Sequence, residues 1–124
     1  MLTSTEVLRA LGQPLTDPTV EQELGDAECT YETPAAPGEP AVVIELTKVN
    51  AQNATFGQRV QFFRTEGAKP ISGIGPEAYA LAGHILTYKP GVILFVSVAD
   101  GRSNDQQLLQ AARRLTATVL NRLP

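Results

Sequence analysis

The clearest pattern of hydrophobic and polar positions is HILTYKPGVILFVSVAD, which runs from His84 to Asp100. Two runs rich in β-branched and aromatic residues flank Pro90-Gly91, a pair typical of the centre of a type II turn. The pattern predicts a β-hairpin. The residues expected to face each other across it are Tyr88 and Ile93, Leu86 and Phe95, and His84 and Ser97. Because both faces of the hairpin are largely apolar, we expect it to lie centrally in a sheet.

Two further strands are predicted before this hairpin. Asp26–Glu32 alternates strictly between acidic or hydroxyl residues and the apolar set Ala27, Cys29 and Tyr31, which is typical of a half-buried strand. Ala41–Val49 is rich in β-branched residues, and the proline-rich segment TPAAPGEP before it predicts a hairpin loop. Residues 13–25 contain two prolines and a glycine, so we expect irregular structure there.

Three segments have helical spacing. Thr3 and Glu6 form a capping box before a short helix that Gly12 ends. In Asn53–Glu66 the residues that share a face are Phe56, Val60 and Phe63. A second capping box at Ser103–Gln106 opens a C-terminal amphipathic helix. The apolar arc of that helix comprises Leu108, Ala112, Leu115, Val119 and Leu123.

These elements predict a single α+β domain over residues 1–124. Its antiparallel sheet has about five strands backed by N-terminal, middle and C-terminal helices, in the order α-β-β-α-β-β-β-α. The chain length and an apolar fraction of 43% suit one such domain. No apolar run is long enough to span a membrane, and MLTSTEVLRALG lacks the basic start and apolar run of a signal peptide. We therefore expect a soluble chain, either an intracellular protein or the mature part of an exported one.

The composition argues against several classes of function. A net charge of −3 with scattered basic residues does not favour nucleic-acid binding. One histidine and one cysteine make a structural zinc site improbable, and Cys29 fits better as a small core residue. No nucleophile, base and acid occur in a catalytic arrangement. We expect no catalytic residues, no metal and no cofactor.

The segment SGIGPEAYA contains a G-x-G-x-x-A motif at Gly73–Ala78, the fingerprint of a dinucleotide-binding turn. That function needs a strand before the motif and a helix after it. Pro70 makes the preceding segment a poor central strand, and the residues from Glu77 onward alternate as a strand would. The motif is therefore interpreted as a bend that leads into a strand. A nucleotide-binding protein or small enzyme that uses this turn is kept as the alternative.

Three stretches together carry a resemblance: GIGPEAYA, YKPGVILFVSVA and the closing AARRLTATVLNRL. They resemble a domain of unknown function found in actinobacterial exported lipoproteins, and Cys29-Thr30-Tyr31 is similar to an early strand of that family. The resemblance implies a PsbP-like fold, an antiparallel sheet backed by helices, and an extracytoplasmic or secreted location. It supplies no catalytic residues. The chain lacks the lipobox of the family, so a cytoplasmic location is the alternative.

Two surfaces of the predicted sheet differ in character. We expect the helices to back one of them only, the aliphatic surface, which carries Ile85, Leu94, Val96 and Val98 and forms the core. The other, the mixed surface, carries Leu86, Phe95 and aromatic residues with polar tips, which are typical of interfaces. We predict that Tyr79, His84 and Tyr88 line a partly open groove there, where an unknown protein or small ligand binds to a non-enzymatic module. The alternative is that these residues complete the core. The chain is expected to be a monomer or homodimer.

Overall fold

The computed structural model describes residues 19–23, 26–32, 40–48, 56–89, 91–99 and 104–122. In chain order the described elements are β1 Thr19–Glu23, β2 Asp26–Glu32, β3 Pro40–Lys48, α1 Phe56–Thr65, β4 Lys69–Ile71, β5 Ala78–Leu81, β6 His84–Lys89, β7 Val92–Val98 and α2 Asp105–Arg122. The prediction of an α+β fold is confirmed. The predicted N-terminal helix and the loop at residues 33–39 lie outside the described residues.

All seven described strands belong to one antiparallel sheet, in the order β1-β2-β3-β7-β6-β5-β4. The hairpin of β6 and β7 occupies the middle of this order, as the apolar character of both its faces predicts. Its register pairs Tyr88 with Ile93, Leu86 with Phe95, and His84 with Ser97. The predicted hairpin is therefore confirmed residue by residue.

The expectation of about five strands is wrong, because two short strands extend the edges of the sheet. β1 lies in the stretch expected to be irregular, where Val20 pairs with Cys29 of β2. β4 contains Pro70, which pairs with Tyr79 of β5. A proline is tolerated there because β4 is an edge strand and donates hydrogen bonds on one side only. The sequence of β1, TVEQE, contains one apolar residue, and that of β4, KPI, contains a proline, so neither has the apolar alternation that predicts a strand.

The aliphatic surface of the sheet packs against α2, as predicted. The buried residues of this core cluster from the sheet include Cys29, Tyr31, Val42, Ile44, Ile85, Leu94, Val96 and Val98. Those from α2 are Ala111, Ala112, Leu115, Val119 and Leu120. The prediction that Cys29 is a core residue is confirmed, and its burial raises the pKa of its thiol.

Helix α1 lies on the opposite, mixed surface of the sheet, so the expectation that helices back only one side is wrong. Val60 and Phe63 of α1 join Tyr79, Leu86 and Ile93 in a second buried cluster. The physical reason is that the β6–β7 hairpin is apolar on both faces, so a helix on each surface of the sheet is needed to bury both faces. The shared face of Phe56, Val60 and Phe63 is confirmed, since all three contact this cluster.

The capping box of α2 lies one residue later than predicted. Gln107 donates its backbone N–H to Asn104 Oδ1 at 2.9 Å, and Asn104 donates its N–H to Gln107 Oε1 at 3.0 Å. Asparagine is as good an N-cap as serine, and Gln107 stands three residues after it. In the sequence both Ser103 and Asn104 are possible N-cap residues, and the reciprocal hydrogen bonds identify Asn104 as the N-cap.

Candidate functional site

A cavity of about 480 Å³ lies between α1 and the mixed surface of the sheet. Its lining residues are Gln58, Arg59, Phe62, Phe63, Glu66, Leu81, His84, Leu86 and Phe95. The volume falls within the range of small-molecule sites, and such sites are mainly apolar with a few polar groups. This cavity is the candidate functional site.

Helix α1 forms one wall of the cavity through two rows of side chains that are four residues apart. One row is Gln58 and Phe62, which Glu66 continues just after the helix ends, and the other is Arg59 and Phe63. Phe63 is buried and meets Phe95 edge to face, with ring centroids 5.8 Å apart. Phe62 is 70% exposed, the highest exposure of any large hydrophobic residue among those described. An aromatic ring kept in water at the mouth of an apolar cavity is available to a ligand.

The sheet forms the floor of the cavity. Leu86 and Phe95 are cross-strand partners, and Leu81 is the partner of His84 at the end of the β5–β6 hairpin. The His84 ring stacks on the Phe95 ring at a centroid distance of 5.9 Å and an angle of 16°. Strand pairing thus fixes the positions of all the floor residues.

One polar atom of the floor residues, Nδ1 of His84, is buried and has no hydrogen-bond partner within the described part of the chain. An unsatisfied buried polar group costs about 1–3 kcal/mol, and native proteins contain few of them. Because this atom has almost no accessible surface, other atoms of His84 line the cavity.

Arg59 is the cation of the cavity wall. Its Nη2 lies 4.0 Å from Glu45 Oε2, and its guanidinium carbon lies 6.0 Å from the centroid of the Phe95 ring. Desolvation by burial, together with the nearby charge of Glu28, raises the pKa of the Glu45 carboxyl, and Arg59 only partly offsets this. The ion pair between Arg59 and Glu45 is therefore long and weak.

The hairpin that carries Leu81 and His84 is strained at its tip. Ala82 has a φ of 50°, in the left-handed region that is unfavourable for a residue with a Cβ atom. Unusual backbone conformations of this kind concentrate at functional sites. Here the strain lies between two residues that line the cavity.

We expect Ala82→Gly to stabilise the protein by about 0.5–1 kcal/mol, because glycine removes the strain but has more conformational freedom to lose. Ala80→Gly makes the same chemical change in β5, where the backbone is extended, and should destabilise by a similar or larger amount. Urea unfolding followed by circular dichroism measures both. Equal losses in the two variants would show that Ala82 is not strained.

The structure separates the three residues predicted to line one groove. His84 lines the cavity, but Tyr79 and Tyr88 lie outside its lining. Tyr79 is buried and donates its hydroxyl hydrogen to Glu77 Oε1 at 3.1 Å, and Tyr88 packs on Phe56 with ring centroids 4.5 Å apart. Tyr88 therefore supports the N-terminal end of α1. Tyr79 lies along the helix, with its ring 6.4 Å from that of Phe56 and 5.8 Å from the guanidinium carbon of Arg64.

The sequence-based prediction missed the part of the site that α1 contributes. The predicted apolar face of this helix comprises Phe56, Val60 and Phe63, and the prediction names neither Arg59 nor Phe62. One signal was present in the sequence: Phe62 is a large aromatic residue on an otherwise polar arc. Such an exposed aromatic residue is a common mark of a binding surface.

The Gly73–Ala78 motif has a structural explanation. It joins β4 to β5, and Gly73 and Gly75 take φ values of 85° and 56°. A Cβ atom on Gly75 would lie 2.7 Å from Thr87 Oγ1, so the turn packs too closely for a side chain there. A strand follows the motif where a phosphate cradle requires a helix N-terminus.

The described residues contain no group of three or more His, Cys, Asp or Glu side chains that could hold a metal ion. Neither described helix is long and apolar enough to cross a membrane.

No protein-family model, curated protein or solved structure matches the chain. The resemblance to the actinobacterial lipoprotein domain therefore stays a prediction.

Proposed function

We propose that this protein is a non-enzymatic module that binds a small, largely apolar molecule in the cavity between α1 and the sheet. The observation that carries the proposal is a mainly apolar cavity of about 480 Å³ with the exposed ring of Phe62 in its lining. The strained backbone at Ala82 supports it, because Ala82 lies in the turn between the lining residues Leu81 and His84.

The PsbP-like fold and the location of the protein are also part of the proposal. An antiparallel sheet with a closing amphipathic helix agrees with the PsbP-like fold that the sequence resemblance implies. A location outside the cytoplasm rests on that resemblance alone. A small-ligand module is favoured over a protein-binding one because the mixed surface carries a concave site between α1 and the sheet.

The test uses N-phenyl-1-naphthylamine, a neutral aromatic probe that fluoresces in apolar surroundings. The chain has no tryptophan, so protein emission will not interfere strongly with the titration. We expect saturable binding of one probe per chain, with a dissociation constant on the order of micromolar. Phe62→Ala should weaken binding about 5- to 10-fold, because the probe loses the aromatic ring at the cavity mouth.

Gln61→Ala is the matched control, since Gln61 is an exposed residue of α1 that does not line the cavity. It should leave the affinity unchanged. Neither substitution should change the free energy of unfolding by more than about 0.5 kcal/mol, because both side chains are largely in water. Absence of saturable binding, or equal weakening by both substitutions, would contradict the proposed function.

A further inference from the structure

Arg59 is a polar group of the cavity lining with unused hydrogen-bonding capacity. Its guanidinium has five N–H donors, and its ion-pair contact with Glu45, at 4.0 Å, is longer than a hydrogen bond. An apolar ligand would bury this group further, so a purely apolar ligand would leave a charged group uncompensated.

The guanidinium lies near the aromatic ring of Phe95. The guanidinium carbon of Arg59 is 6.0 Å from the Phe95 centroid, and the His84 ring stacks on the same ring at 5.9 Å. A polar head placed beside Phe95 on the Arg59 side is therefore within reach of the guanidinium. Phe62, Phe63 and Leu86 remain available for the apolar body of the same molecule.

The charge of Arg59 selects the sign of that head. A cationic head would be repelled by the guanidinium, whereas an anionic oxygen accepts hydrogen bonds from it, and charge-assisted bonds of this kind are the stronger ones. Glu66 also lines the cavity, but it is exposed and water screens its charge. Glu45 competes for Arg59, and its raised pKa reflects the cost of burying its charge with little compensation.

On the basis of the proposed function, we infer that the cavity binds an amphipathic acid. In this assignment an apolar body lies between α1 and the sheet, and an anionic oxygen head accepts hydrogen bonds from Arg59 beside His84. The inference identifies Arg59 as the residue that determines ligand class. Glu45 competes with the anionic head of the ligand for the same guanidinium.

The test compares N-phenyl-1-naphthylamine with 1-anilinonaphthalene-8-sulfonate, which has the same ring skeleton and an added anionic sulfonate. In the unaltered protein the sulfonate should bind at least about 5-fold more tightly than the neutral probe. Arg59→Gln should weaken sulfonate binding about 10-fold and change neutral-probe binding by less than about 2-fold. Glu45→Gln should strengthen sulfonate binding about 3-fold, because the competing carboxylate is removed.

The two probes distinguish the inference from the function on which it rests. If neither probe binds saturably, the proposed function fails and the inference fails with it. If the neutral probe binds but the sulfonate binds no better, or if Arg59→Gln weakens both probes equally, only the inference is overturned. Retained neutral-probe binding in each variant also verifies that the cavity is still folded.

Discussion

Replacing Leu115 with alanine is expected to remove about 2–5 kcal/mol from the free energy of unfolding. Leu115 is 1% exposed and lies in the core cluster formed by α2 and the aliphatic surface of the sheet. Truncation leaves a cavity among β-branched residues that strand pairing holds in place, so the site cannot collapse to fill it. A domain of this size has only about 5–15 kcal/mol in total.

Arg114→Ala provides the matched control, because Arg114 is the neighbouring residue of α2 and is exposed. Leucine, arginine and alanine are all good helix formers, so the comparison isolates the packing contribution. Arg114→Ala should change the free energy of unfolding by less than about 0.5 kcal/mol. Urea unfolding followed by far-ultraviolet circular dichroism measures both variants. Similar losses would mean that α2 does not bury this face.

Gly83→Ala is expected to cost at least about 3 kcal/mol, for a different reason. A Cβ atom on Gly83 would lie 2.2 Å from the backbone oxygen of Val98 and 3.1 Å from the Cβ of Leu108. Val98 also donates its N–H to the Gly83 oxygen at 2.9 Å. The added methyl group therefore pushes against both the central strand β7 and the first turn of α2, and neither is a flexible side chain.

Gly91→Ala separates this clash from the general effect of replacing a glycine. Gly91 has a φ of 85°, but no atom lies within 4 Å of an added Cβ, so only backbone strain of roughly 1–2 kcal/mol is expected. Both substitutions restrict the unfolded chain in the same way. Thermal and urea unfolding should rank Gly83→Ala as the more destabilised variant. The reverse order would contradict the close approach at Gly83.

The central part of the fold was predictable because its elements are long and have clear patterns. β6 and β7 are six- and seven-residue runs rich in β-branched and aromatic residues, and Pro90-Gly91 separates them in the sequence, so the register follows from the sequence. α2 has a continuous apolar arc with Leu115 at its centre. In both cases local pattern and tertiary packing agree.

The edges of the sheet and the site were less predictable. β4 has three residues, one of them a proline, and it becomes a strand only because β5 offers a partner. The cavity requires α1 to lie over Leu86 and Phe95, and no local pattern indicates which surface of a sheet a helix covers. His84 could be selected as a lone polar ring on an aromatic surface. Arg59 could not be selected in this way, because its role depends on which surface of the sheet α1 covers.

Pro70 also limits how copies of this protein can assemble. A strand added at the β4 edge would need backbone amide hydrogens, and the middle residue of this three-residue strand has none. Chains of molecules joined by sheet pairing need two receptive edges on every copy. Because one edge is blocked, open-ended fibrous growth through the native sheet is disfavoured, and pairing at the other edge alone would end with two copies.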